Sequence, residues 1–66
     1  MKAEQLDKYL GQMVKITFFD KTTEIGILGR GDWFAMAWYG TGYHLERPND
    51  DLGFKKSHVK KIEKIA

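Results

Sequence analysis

Residues 13–28, Met-Val-Lys-Ile-Thr-Phe-Phe-Asp-Lys-Thr-Thr-Glu-Ile-Gly-Ile-Leu, decide the fold of this 66-residue chain. Apolar residues recur here with a period of two, at Val14, Ile16 and Phe18. This alternation is typical of a strand with one buried face. We therefore predict a first strand over 12–19, a polar connection over 20–23 and a second strand over 24–28. Gly26 interrupts the second strand, and an isolated glycine there marks a bend or a close approach of backbone.

The segment before this hairpin is predicted to form a short helix over 3–10. Three apolar residues fall on one helical face: Leu6, Tyr9 and Leu10. Gly11 follows them and is a typical helix stop. Because so short a helix is unstable alone, its apolar face must pack on the rest of the chain.

The segment after the hairpin predicts two further strands, over 33–39 and 43–46. Glycine-containing turns over 29–32 and 40–42 separate them from their neighbours. The strand over 33–39 is apolar on both faces. A loop over 47–51 follows, with the only proline of the chain.

The closing segment, 54–65, carries five lysines. Three apolar residues recur in it at every third position: Val59, Ile62 and Ile65. This spacing fits a helix, and it also fits a one-turn helix over 57–59 followed by a final strand over 60–65. We favour the second interpretation, because a barrel that lacks one strand would leave an open edge, and open edges invite aggregation.

Composition limits the class of protein. A chain of this length forms one domain, 1–66, and buries only about 60% of its unfolded surface. It has no cysteine, so no disulfide or cysteine-ligated metal stabilises it. No apolar run approaches the roughly 18 residues of a membrane span, and the first residues lack an apolar signal core. We therefore predict a cytoplasmic protein.

The sequence does not predict catalysis, a cofactor or a metal. Ser57 and His58 are neighbours that point apart on an extended chain, and no orienting acid accompanies them. Neither histidine is adjacent to the acidic residues of 49–51, whereas a metal needs three or four converging ligands. A barrel of this size also leaves little room for a substrate pocket of roughly several hundred Å³. We expect no enzymatic activity.

These elements predict a mainly β fold, a small five-stranded SH3-like (Sm-like) barrel with a short N-terminal helix. Five short motifs carry a resemblance across most of the chain: Tyr9-Leu10-Gly11, Val14-Lys15-Ile16-Thr17, the turn at Asp20, Gly26-Ile27-Leu28, and the closing Phe54 with Ser57-His58-Val59-Lys60-Lys61-Ile62. Their order resembles that of Sm-like (LSM) domains. Closing segments similar to this one occur in small uncharacterised proteins of Gram-positive bacteria and their mobile elements.

The resemblance implies RNA as a partner, but the sequence departs from the Sm pattern in two places. Sm-like proteins bind RNA through a loop with Asp and Asn and through an Arg-Gly or Lys-Gly near the end. Residues 32–37 contain Asp but no Asn, and residues 55–58 contain lysines but no glycine. The resemblance therefore supports the barrel fold better than it supports an RNA site.

The lysine run is the first candidate site: Lys55, Lys56, Lys60, Lys61 and Lys64. With one glutamate, these five lysines give residues 55–66 a local charge of +4, so the rest of this +2 chain carries −2. Lysines that neutralise phosphates give salt-dependent, sequence-tolerant binding. The alternative is a solvated face that keeps an edge strand from pairing.

Aromatic residues near an arginine are the second candidate site. Trp33 and Tyr43, with Arg30 nearby, would stack single-stranded bases. They would equally well grip an extended peptide. The third interpretation is that these rings belong to the core.

An apolar set on the first hairpin is the third candidate. Phe19, Ile25 and Ile27 fall on the face opposite to the buried residues of the first strand. Exposed apolar patches mark interfaces. Either the N-terminal helix covers this one, or it joins copies of the chain into a homo-oligomer.

The leading functional hypothesis is a non-catalytic binding module for RNA or single-stranded nucleic acid. The alternatives are an adaptor that binds a protein or peptide, and a structural homo-oligomer. We expect no membrane partner.

Overall fold

The computed structural model describes residues 1–31, 36 and 42–65. Its elements, in chain order, are α1 (Ala3–Asp7), β1 (Met13–Phe18), β2 (Thr23–Arg30), β3 (Tyr43–Glu46), β4 (Asp51–Gly53), a 3-10 helix (Lys56–His58) and β5 (Val59–Lys64). The strands form one antiparallel sheet in the order β4-β3-β2-β1-β5. The mainly β class, the five strands and the short N-terminal helix are therefore confirmed.

The sheet curls, but its two outer strands are not joined by a ladder among the described residues. Phe18 ends β1 and Phe54 follows β4, yet their ring centroids lie 5.7 Å apart. The 3-10 helix spans the short distance from the end of β4 to the start of β5. The curl thus places the closing segment beside the first hairpin.

The core lies on the concave side of the sheet, beneath α1. Among the residues that the structure describes, eight apolar side chains are buried there: Leu6, Val14, Ile16, Leu28, Tyr43, Leu45, Phe54 and Val59. The predicted alternation of β1 is confirmed, because Val14 and Ile16 are fully buried and Phe18 packs against the core. Burial of each large apolar side chain contributes about 1.5–3 kcal/mol.

Helix α1 is shorter than predicted and ends at Asp7. The chain continues through turns, in which Tyr9 N–H bonds to the Leu6 carbonyl and Gly11 N–H bonds to the Leu28 carbonyl. Gly11 has φ +80°, a conformation that glycine adopts without strain. Because the chain turns here towards β1, Leu10 leaves the predicted face and is 40% exposed.

The middle of the chain differs from prediction at the end of β2 and at β4. Strand β2 continues through Gly29 and Arg30, predicted as a turn, because both residues pair with β3. Residues 51–53 form β4, which the sequence did not predict. The predicted strand over 33–39 lies outside the described residues, apart from Met36, whose backbone is helical and whose side chain is 52% exposed.

The closing segment agrees with the preferred prediction. A 3-10 turn at Lys56–His58 leads into β5, which pairs antiparallel with β1. The close approach predicted at Gly26 is also present. A Cβ added there would lie 2.9 Å from the Glu46 carbonyl oxygen, so a side chain would push β3 away.

Candidate nucleic-acid interface

All five lysines of the predicted run are exposed on the closing segment. Lys55 and Lys56 lie at the 3-10 helix, and Lys60 and Lys61 lie in β5, an outer strand of the sheet. A strand at this position leaves its side chains and one row of backbone groups open to a ligand.

A β-bulge sets the positions of Lys60 and Lys61. Phe18 pairs with Val59 and Thr17 pairs with Lys61, so Lys60 is an extra residue without a register partner on β1. A bulge re-aims side chains relative to a regular strand, in which neighbours point to opposite faces. Both lysines consequently line the same groove.

This lysine groove lies between α1 and β5 and has a volume of about 290 Å³. Lys8 lines it from the helix side, opposite Lys60 and Lys61. Gln5 and Tyr9 add an amide and an aromatic ring. Lys8 and Lys60 are distant in sequence, and only the packing of α1 against the sheet brings them together. Sequence reasoning missed Lys8, Gln5 and Tyr9, because no local pattern links them to the closing lysines.

The charges of the groove are only partly neutralised. Lys61 Nζ lies 3.3 Å from Glu63 Oε1, and both side chains are largely in solvent. Across residues 1–31, 36 and 42–65, no ion pair involves Lys8 or Lys60. The groove therefore presents at least two ammonium groups to a ligand, with a third shared with Glu63.

Helix α1 is held in place by a polar contact at its last residue. The Tyr43 hydroxyl donates to Asp7 Oδ1 at 2.6 Å, and Arg30 Nη1 donates to Asp7 Oδ2 at 3.0 Å. The Arg30 guanidinium lies 4.9 Å from the centre of the Tyr43 ring, a cation–π contact. Burial and the hydrogen bond to Asp7 raise the pKa of Tyr43 to about 12. Since Lys8 follows Asp7, this contact fixes one wall of the groove.

The structure corrects two predicted members of the nucleic-acid site. Tyr43 is 1% exposed and belongs to the core, so its ring offers no face to a base, and that prediction is wrong. Arg30 is half-exposed, but its guanidinium is engaged by Asp7 and by the Tyr43 ring. Its role here is to hold α1, and it does not line the lysine groove. Trp33 lies outside the described residues.

An apolar groove of about 530 Å³ lies on another side of the closing segment. It runs between the β1–β2 turn and the end of β4, lined by Phe18, Phe19, Leu52 and Phe54. Phe19 is 64% exposed and its N–H donates to the His58 carbonyl. At the rim, hydrogen bonds from the Thr22 hydroxyl and N–H lower the pKa of Asp20. Charged residues of both signs, including Lys55, border the groove.

The predicted apolar set divides into two places. Ile25 and Ile27 are 51% and 36% exposed and lie on the outer face of the sheet. Phe19 lies beyond the end of β1 and lines the apolar groove instead. All three side chains are exposed, so the alternative in which the N-terminal helix covers them is wrong, and they do not form one surface.

Comparison of the chain with protein-family models, with curated proteins and with solved structures found no match. Within the described ranges, no three side chains of His, Asp or Glu converge as a metal site would require. The helices of that same part of the chain are too short and too polar to cross a bilayer.

Proposed function

We propose that this chain is a non-catalytic binding module for RNA or single-stranded nucleic acid, with the lysine groove as its site. The convergence of Lys8, which directly follows α1, with Lys60 and Lys61 from β5 on one groove is the observation that carries this proposal. Membership of the Sm-like barrels is part of the same proposal. It is supported by the helix that leads into five antiparallel strands.

The groove has the chemistry that a single strand requires. Ammonium groups neutralise phosphates as point charges and release counterions. The Tyr9 ring beside them is half-buried, and an aromatic ring next to a basic groove is a typical platform for an unpaired base. The Gln5 side chain can both donate and accept hydrogen bonds at a base or sugar. Lys55 and Lys56 are exposed on the same closing segment but do not line the lysine groove, and Lys55 borders the apolar groove.

Fluorescence anisotropy with labelled single-stranded RNA of about 12 nucleotides tests this proposal. Lys60→Glu is expected to weaken binding about tenfold or more at low salt. It is also expected to reduce the slope of log K against log salt by about 0.7 for each phosphate that the groove no longer neutralises. Lys8→Glu is expected to act in the same way, although Lys8 lies after α1 and not in β5.

Lys21→Glu is the matched control. Lys21 is exposed in the β1–β2 turn, outside the lysine groove, and its substitution changes the net charge by the same amount. Equal weakening by Lys21→Glu and Lys60→Glu would show that only overall charge matters. Absence of RNA binding by the wild type at low salt would overturn the proposal.

The apolar groove favours a second candidate function, an adaptor for an extended peptide with a large apolar side chain. Three phenylalanines and Leu52 line it, and the rim carries both signs of charge for the polar backbone and flanks of a peptide. Selection from a displayed peptide library, with wild type and Phe19→Ala in parallel, tests this function. Peptides enriched by the wild type alone, with affinity that changes little with salt, would support it. Failure to enrich any peptide would exclude it.

A further inference from the structure

The convex face of the sheet carries an apolar surface that the lysine groove does not use. Four large side chains form it: Met13, Ile25, Ile27 and Ile65. Their exposed fractions are 38%, 51%, 36% and 45% respectively. We call these four residues the outer apolar face. A contiguous apolar patch rimmed by polar residues is typical of an interface.

Strand register shows that the four side chains are neighbours. Met13 on β1 is the direct partner of Ile27 on β2, and the Ile65 N–H donates to the Met13 carbonyl. Ile25 lies two residues before Ile27, so it is on the same face of β2. Strands β1 and β2 and the residue that follows β5 thus contribute to one surface.

The charges beside the outer apolar face have opposite signs on opposite sides. Lys15 is the register partner of Ile25 on the β1 side. Glu46 is the register partner of Ile27 on the β3 side. The two isoleucines therefore lie between Lys15 and Glu46, and the line that joins these two charged residues crosses the sheet diagonally. Lys15 is also opposite Glu63 of β5, but no ion pair joins them in the described part of the chain.

This arrangement is complementary to itself. Consider a two-fold axis that lies in the plane of the interface and passes between Ile25 and Ile27. If this axis is perpendicular to the line from Lys15 to Glu46, it places Lys15 of each copy opposite the partner's Glu46. The same operation keeps the isoleucines of both copies at the centre. An isologous interface requires a patch that matches its own image, and a rim of one sign would repel its copy.

We infer that the outer apolar face binds a second copy of this chain, in an isologous dimer with reciprocal Lys15–Glu46 pairs. Two sheets then pack face to face, as in sheet sandwiches. None of the four apolar residues lines the lysine groove, so the inference is independent of the proposed function.

Sedimentation velocity over a range of protein concentrations tests the apolar centre. The wild type is expected to shift from monomer to dimer as concentration rises, and Ile27→Asp is expected to remain a monomer at every concentration. Phe19→Asp, which removes an exposed apolar side chain elsewhere, is expected to leave the dimer intact. Thermal unfolding of each variant confirms that it is folded.

A charge exchange tests whether the partner is a second copy. Lys15→Glu and Glu46→Lys are each expected to raise the dimer dissociation constant at least about tenfold, since like charges then meet twice. An equimolar mixture of the two variants is expected to recover dimerisation, because every charge pair in the mixed dimer again joins opposite signs.

Three results would overturn the inference. The first is a wild type that stays monomeric throughout the concentration range. The second is a dimer that Phe19→Asp abolishes and Ile27→Asp does not. The third is a mixture of the two charge variants that dimerises no better than either variant alone, which would assign the outer apolar face to a different partner.

Discussion

The hydroxyl of Tyr43 lies 2.6 Å from the Oδ1 of Asp7 and joins the first residue of β3 to the last residue of α1. The same hydroxyl lies 3.3 Å from the Ala3 carbonyl, so it contacts both ends of the helix. A helix of five residues has little stability of its own. Its position therefore depends on this buried tyrosine.

Tyr43→Phe is expected to lower the free energy of unfolding by about 1–2 kcal/mol, because it removes a hydrogen bond to a charged acceptor and leaves the ring in place. Urea unfolding measures this change. The double variant with Asp7→Ala is expected to lose less than the sum of the two single variants, since both remove the same hydrogen bond. Full additivity would contradict the assigned pairing.

The raised pKa of Tyr43 predicts a loss of stability in alkali. The tyrosine is neutral in the folded protein up to about pH 12 but ionises near pH 10 when unfolded. Its contribution is therefore complete below pH 10 and is lost as the pH rises through about 12. Unfolding measured between pH 9 and 12 is expected to show a decline of about 2–3 kcal/mol from this group. Tyr43→Phe, which retains the lysines that also titrate there, is expected to show a shallower decline.

On the proposed function, Glu63→Gln is expected to strengthen RNA binding by the lysine groove. The substitution releases Lys61, which now lies 3.3 Å from the Glu63 carboxylate. Exposed ion pairs are worth about 0.2–1 kcal/mol, so the affinity is expected to rise by up to about fivefold. Glu4→Gln removes the same charge from an exposed position in α1 and is the control in the anisotropy assay. Equal gains from both would indicate a general charge effect.

Gly29→Ala is expected to destabilise the sheet by about 1–3 kcal/mol, as is typical of overpacking. A Cβ at Gly29 would lie 2.5 Å from Nε2 of His44, whose ring is buried across the β2–β3 pair. Thermal or urea unfolding measures the loss. In the double variant with His44→Ala, the methyl group gains room, so the alanine at 29 should add little further loss. If Gly29→Ala lowers the free energy of unfolding as much in the His44→Ala background as it does alone, the clash does not involve the His44 ring.

A local pattern predicted the first hairpin, because apolar residues alternate there with a period of two. The pattern of the closing segment, with apolar residues at every third position, fitted a helix as well as a strand, and β5 was predicted because an open barrel edge is unfavourable. Strand β4 was missed because Asp51-Leu52-Gly53 has one apolar residue between an acid and a glycine. Its extended conformation comes from pairing with β3, which a local pattern does not contain.

The candidate site was predictable only in part. Lysine clustering identified Lys60 and Lys61, but Lys8 joins them through helix packing that depends on Tyr43. The burial of Tyr43 was one of the three interpretations of the aromatic residues, but the leading hypothesis placed its ring at the surface. A polar aromatic residue near arginine and glycine is typical of a surface, and the carboxylate that satisfies its hydroxyl is Asp7, far away in the sequence.

The bulge at Lys60 adds one charged residue to β5 without changing which residues of β5 pair with the apolar residues of β1. Val59 and Ile62 face Phe18 and Ile16 of β1, and a regular strand would need only one residue between them. A chain with Lys60 deleted would keep both apolar pairings, with Lys61 alone directed outward. A cation can therefore be added or removed at this edge without altering which side chains reach the interior, so the charge of the groove and the packing of the core can be changed separately at this position.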